Sequence, residues 1–97
     1  MKTQRKSIYT AIDHERQYQE KKWGSIEDHP HEVGGYLLIM QSELQEAIQS
    51  WVKSHDDIDA LREILQVAAV AVACLEQHGV SERIVADLHW TDFPAPP

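Results

Sequence analysis

Ile64-Leu65-Gln66-Val67-Ala68-Ala69-Val70-Ala71-Val72-Ala73-Cys74-Leu75 holds one polar side chain, Gln66. A helix apolar on nearly all sides must be covered on nearly all sides. The run from Val67 to Ala73 is made of valine and alanine, small enough for neighbouring helices to approach closely. The ends of this helix are marked in the sequence. Asp56 or Asp57 can cap its N-terminus, acids crowd its first turn, and Gly79 stops it after His78.

Working outward, the periodicity stays helical and no stretch alternates as a strand would. A preceding helix is expected from His31 or Glu32 to about Ser54, with Leu37, Met40, Leu44, Ala47 or Ile48, and Trp51 forming one apolar stripe. Gly34 and Gly35 weaken its start by about 1 kcal/mol each relative to alanine. A first helix is expected from Ser7 to Lys22, with Ile8, Ala11, Ile12, Glu15, Tyr18 and Lys22 along one side. The segment from Gly24 to Pro30 reads as a loop. A short fourth helix from Ser81 to about His89 and a proline-bearing tail over 90–97, which Trp90 and Phe93 could dock, complete the chain. The expectation is an all-α fold: one domain over 1–97 with its core in 7–89, a bundle of three main helices plus the short fourth one. Two partner helices cannot cover the Ile64–Leu75 helix, so a homodimer or homotetramer is expected to complete it.

Composition narrows the function classes. The chain has 97 residues, 16 acids against 9 bases and a formal charge of -7, and its pI is near 5.2. Such a chain repels nucleic-acid phosphates and acidic membrane surfaces. The apolar run from Val67 to Leu75 is about half of the roughly twenty residues a membrane span needs. The basic N-terminus MKTQRKSIY lacks the apolar stretch of a signal peptide. Cys74, the one cysteine, has no partner for an internal disulfide and reads as a small buried hydrophobe; a reducing cytoplasm is the expected location.

The second helix carries another stripe, rotated away from the apolar one: Tyr36, Ile39, Glu43, Glu46 and Ser50. Glu43 and Glu46 therefore leave one face about a turn apart, and Glu63 and Gln66 repeat the spacing on the third helix. Aligning the two helices would gather three carboxylates and one amide oxygen. Like charges that close raise each other's pKa unless a cation is shared. Hard oxygen ligands without cysteine or paired histidine suit Mg²⁺ or Mn²⁺ rather than zinc. The alternative is that Glu43 and Glu46 are solvated acids and Glu63 merely favours a helix N-terminus.

The pairs Glu43-Leu44-Gln45-Glu46 and Glu63-Ile64-Leu65-Gln66 resemble the E-x-x-E and E-x-x-D signature of the MazG-like, all-α nucleoside triphosphate pyrophosphohydrolases. Glu15-Arg16-Gln17-Tyr18-Gln19-Glu20-Lys21-Lys22-Trp23-Gly24 is similar to the E-R-x-x-Q-x-x-K-W-G segment of that family's small phage and bacterial branch. His29-Pro30 looks like its loop histidine, and Gln66-Val67-Ala68-Ala69-Val70-Ala71-Val72 like its Q-V-A-A-V-A run. The resemblance covers residues 14 to 79. It implies hydrolysis of a nucleoside or deoxynucleoside triphosphate to the monophosphate and pyrophosphate, with Mg²⁺ (or Mn²⁺) as cofactor. Glu43, Glu46 and Glu63 would be the catalytic metal ligands, joined by the carbonyl oxygen of Gln66. Gln66 departs from the family's aspartate and removes one negative charge, which also allows a weak enzyme or a nucleotide sensor. A third possibility is a structural oligomerisation module with its glutamates as surface decoration.

Around these ligands, Trp23 and Tyr36 could stack on a base, or Trp23 could anchor the end of the first helix in the core. Lys22 and Arg16 could reach phosphate oxygens or stay solvated. His29 could contact phosphate or ribose. His31, His55, His78 and His89 have no ligand-like spacing and read as surface residues.

Overall fold

The computed structural model describes residues 3–83. It is all-helical there: α1 spans Arg5–Trp23, α2 Val33–Ser54 and α3 Asp57–His78. Residues 81–83 are not helical, and the rest of the expected fourth helix and of the tail lies outside the described residues. No helix among the described residues is long and apolar enough to cross a membrane.

The caps account for the boundaries. The Asp56 carboxylate accepts the Ile58 N–H at 2.9 Å, and Asp57 and Asp59 add negative charge to the first turn of α3. Its other end closes at Gly79, at φ 93, whose N–H donates to the Leu75 carbonyl. α2 and α3 are joined by His55 and Asp56 alone. His55 takes the left-handed conformation at φ 53, and the Trp51 indole N–H donates to Asp57 at 3.1 Å across the turn. So short a link makes the two helices antiparallel. Their far ends meet where the Tyr36 hydroxyl donates to Gln77 at 2.7 Å.

α3 is the central element. It packs on α2 along one side and on α1 along another, while α1 and α2 do not pack on each other. Ala69 is fully buried, and Val70, Ala73 and Ala60 are nearly so, as small side chains allow at close helix contacts. Tyr36, Val70 and Ala73 form a core cluster, with Ile26, Ile39, Met40 and Cys74 packed against it.

Two faces differ from the periodicity's expectation. α2 meets α3 through the line of Tyr36, Ile39, Met40, Glu43 and Ala47, whereas Leu37, Leu44, Ile48 and Trp51 each remain about half exposed. The expected stripe is thus split: Met40 and Ala47 pack toward α3, while Leu37, Leu44, Ile48 and Trp51 stay half exposed, three of them along the edge of a groove shared with α3. α1 docks through Arg16 and Gln19, the only buried residues it has in this structure, while Ile8 and Tyr18 are exposed. Polar groups can make that contact because both are paired. Arg16 holds Glu76 at 3.2 Å, and the Gln19 amide donates to the Gln66 backbone carbonyl at 3.2 Å.

Candidate functional site

The antiparallel register of α2 and α3 sets Glu43 and Glu46 beside Glu63. Burial raises the Glu43 carboxyl above the ordinary carboxylate range, and the charges of Glu46, Glu63 and Glu15 push it further. Burial also raises Glu63, reinforced by the charge of Glu46, by a hydrogen bond between the two carboxyls, and by Asp59. One oxygen of each is sealed from solvent with no hydrogen-bond partner: Oε2 of Glu43 and Oε2 of Glu63. An unpaired buried oxygen costs about 1–3 kcal/mol. Solvated surface acids have no such atoms; a cation shared among the carboxylates would satisfy both. Among the described residues, no three His, Cys, Asp or Glu side chains converge closely enough to hold an ion as they stand. Mutual repulsion among the carboxylates suits that looser arrangement.

Gln66, three residues after Glu63 on α3, is half-buried. Its backbone carbonyl is taken by Gln19, and its side-chain amide makes no hydrogen bond among the described residues.

Beside the carboxylates lies a cavity of about 370 Å³, between α1, the 24–32 loop, α2 and α3. That volume is at the small end of ligand pockets. Its wall brings together five residues nominated from the sequence: Arg16, Trp23, His29, Tyr36 and Glu43. Lys22 is not among them; its ammonium lies outside, 4.8 Å from the Trp23 ring centroid. Trp23 is 52% exposed, with the Lys22 ammonium over its ring, whereas Tyr36 is 4% exposed, with His31 and His78 edge-on to its ring. Arg16 is neither solvated nor free, since Glu76 engages its Nε and Nη2. His29 closes the loop end of the cavity. Its ring lies so close to Gly24 that a Cβ there would collide with it, and Gly24 sits at φ 94, where a side chain would be strained as well.

Three contributors escaped the sequence reading as site residues. Glu15 adds its charge to the Glu43 environment. Gln19 lines the cavity. Gln77 clasps the loop to α3, accepting from the His31 N–H and the Tyr36 hydroxyl and donating to the His31 carbonyl. The signal available for the first two was their spacing of four residues around Arg16.

The chain matches no protein-family model, no curated protein and no solved structure in these comparisons.

Proposed function

We propose that this chain is a Mg²⁺-dependent pyrophosphohydrolase that cleaves nucleoside or deoxynucleoside triphosphates to the monophosphate and pyrophosphate. The observation that carries this reading is the double position of Glu43. It belongs to the wall of a nucleoside-sized cavity and, at the same time, to a carboxylate group with orphaned buried oxygens. A base held against Trp23 would leave its triphosphate directed past Glu43 toward Glu46 and Glu63. A bound Mg²⁺ would neutralise phosphate charge and lower the pKa of a water. Glu43, Glu46, Glu63 and the Gln66 carbonyl would hold it. In the reaction, water adds to the α-phosphorus and the bond to the bridging oxygen breaks. Pyrophosphate departs with that electron pair, and the carboxylate group takes up the proton from water. An acidic chain binds a polyanion through such a cation, so its net charge of -7 is no obstacle.

The half-exposed stripe of α2 supports a homodimer or homotetramer as the working form, in an aqueous, reducing compartment such as the cytoplasm. Gln66 favours one second reading, a sensor that binds the nucleotide without turnover.

The test is pyrophosphate release from a panel of NTPs and dNTPs with Mg²⁺, with Mn²⁺ and with EDTA. Metal-dependent release that Glu43→Gln and Glu63→Gln each reduce by at least about a hundredfold is expected. Nucleotide binding without release from folded protein would favour the sensor. Neither binding nor release would leave a structural oligomerisation module.

A further inference from the structure

We propose that the cavity selects nucleobases that set two acceptor atoms side by side, guanine and cytosine, through the outer edge of the Arg16 guanidinium. This rests on the nucleotide reading of the cavity and names the bases that it takes. Among the described residues the buried polar side chains are Arg16 and Gln19, at 6% and 5% exposure, and both line the cavity. Neither has its polar groups fully used. A guanidinium carries five N–H groups in a planar fork. Glu76 takes the edge made by Nε and Nη2, at 3.2 Å each, while Nη1 and the second N–H of Nη2 have no partner among the described residues. Gln19 Nε2 donates to the Gln66 backbone carbonyl, which can only accept, so Oε1 is the end left over. The partnerless atoms sealed from solvent are both glutamate oxygens. The unused atoms of Arg16 and Gln19 are therefore open, and the cavity is the space these residues line. Glu76 already balances the Arg16 charge, and Glu43 stands in the same wall, so the free edge suits a neutral pair of acceptors better than an anion. Such a pair is O6 with N7 in guanine, the commonest base contact of an arginine fork, and O2 with N3 in cytosine. Adenine and uracil never set two acceptors side by side. In both matching bases a donor flanks the pair, N1–H in guanine and the amino group in cytosine. The Gln19 oxygen lies one helical turn from Arg16 on the same wall to accept it, and Trp23, a turn further, supplies a ring for stacking.

Titration of the full chain with GMP, CMP, AMP and UMP, followed by nuclear magnetic resonance in EDTA and again with Mg²⁺, reads base preference apart from turnover. GMP, CMP or both are expected to bind at least about tenfold more tightly than AMP and UMP, the discrimination that one bidentate contact supplies. Wild-type protein titrated with 7-deaza-GMP and 3-deaza-CMP, each lacking one acceptor of the pair, tests the fork without altering the fold, and the preference should disappear. Arg16→Lys, which keeps the charge and loses the fork, should bind all four bases alike once circular dichroism melting shows it folded. Equal binding of all four by wild type, with ribose 5-phosphate competing, would overturn the selection and leave a nucleotide site whose arginine meets phosphate. A preference for AMP or UMP, or one that survives the deaza analogues, would overturn the role of Arg16. No binding by folded wild type under either condition would overturn both this inference and the nucleotide reading of the cavity.

Discussion

Oε2 of Glu43 and Oε2 of Glu63 are sealed from water with no partner, and both carboxyls titrate above the ordinary range, for which 4.5 is the reference. Each therefore binds its proton more tightly in the folded chain than in the unfolded one. The stabilisation from that proton is complete below about 4.5 and is lost as pH rises through the raised values. Glu43→Gln mimics the protonated form permanently. In metal-free buffer, its melting temperature should match wild type at low pH and exceed it increasingly as pH approaches neutrality. A melting-temperature gap that stays constant across the titration would sink this account of Glu43. Saturating Mn²⁺ should reverse the order at neutral pH, because only wild type keeps the full charge of the site; a ligand at a hundred times its dissociation constant adds about 2.7 kcal/mol.

At the scale of the elements, the caps and spacings were legible and the docking faces only in part. Asp56 and Gly79 bound α3 where capping chemistry requires, and the three-residue spacing of the glutamates sets them side by side once α2 and α3 run antiparallel. Periodicity was half right on α2: Met40 and Ala47 of the stripe face α3, but the pattern could not say that Leu44, Ile48 and Trp51 would stay half exposed beside it. It failed on α1 because a helix held by Arg16 and Gln19 has no apolar period to detect. Gln77 shows how much one polar residue can contribute to element placement: its side chain makes three hydrogen bonds to His31 and Tyr36. Gln77→Ala should lower stability by about 1–3 kcal/mol, since it orphans the hydroxyl of a buried tyrosine. Adding Tyr36→Phe should recover part of that loss, because removing both partners costs less than removing one. Urea unfolding of the two variants measures both effects, and an additive double variant would refute the pairing.

For the whole molecule, the surface left open matters as much as the core. α2 and α3 flank a second, apolar groove of about 360 Å³, lined by Leu44, Ile48, Trp51, Leu61 and Ile64. These five residues are each roughly half exposed, and contiguous apolar patches of this kind mark interfaces. A second copy is the occupant that fits the reading of an oligomeric enzyme. Light scattering should give two or four times the chain mass of 11.1 kDa. Leu44→Lys and Leu61→Glu, which place charge in the groove, should shift it toward 11.1 kDa. A wild-type protein monomeric at micromolar concentration would remove the oligomer from the proposal.

The central position of α3 also orders the making of the molecule. With only His55 and Asp56 between them, α2 and α3 can zip together after a very short loop closure. α1 must instead find partners 47 and 60 positions along the chain, at Gln66 and Glu76, and closing longer loops costs more entropy. The hairpin is thus the unit that collapses first, and α1 is the unit added last and released first. The cavity that α1 walls with Arg16, Gln19 and Trp23 is therefore complete only in the final step of folding, so a partly folded chain would present the α2–α3 hairpin without its pocket.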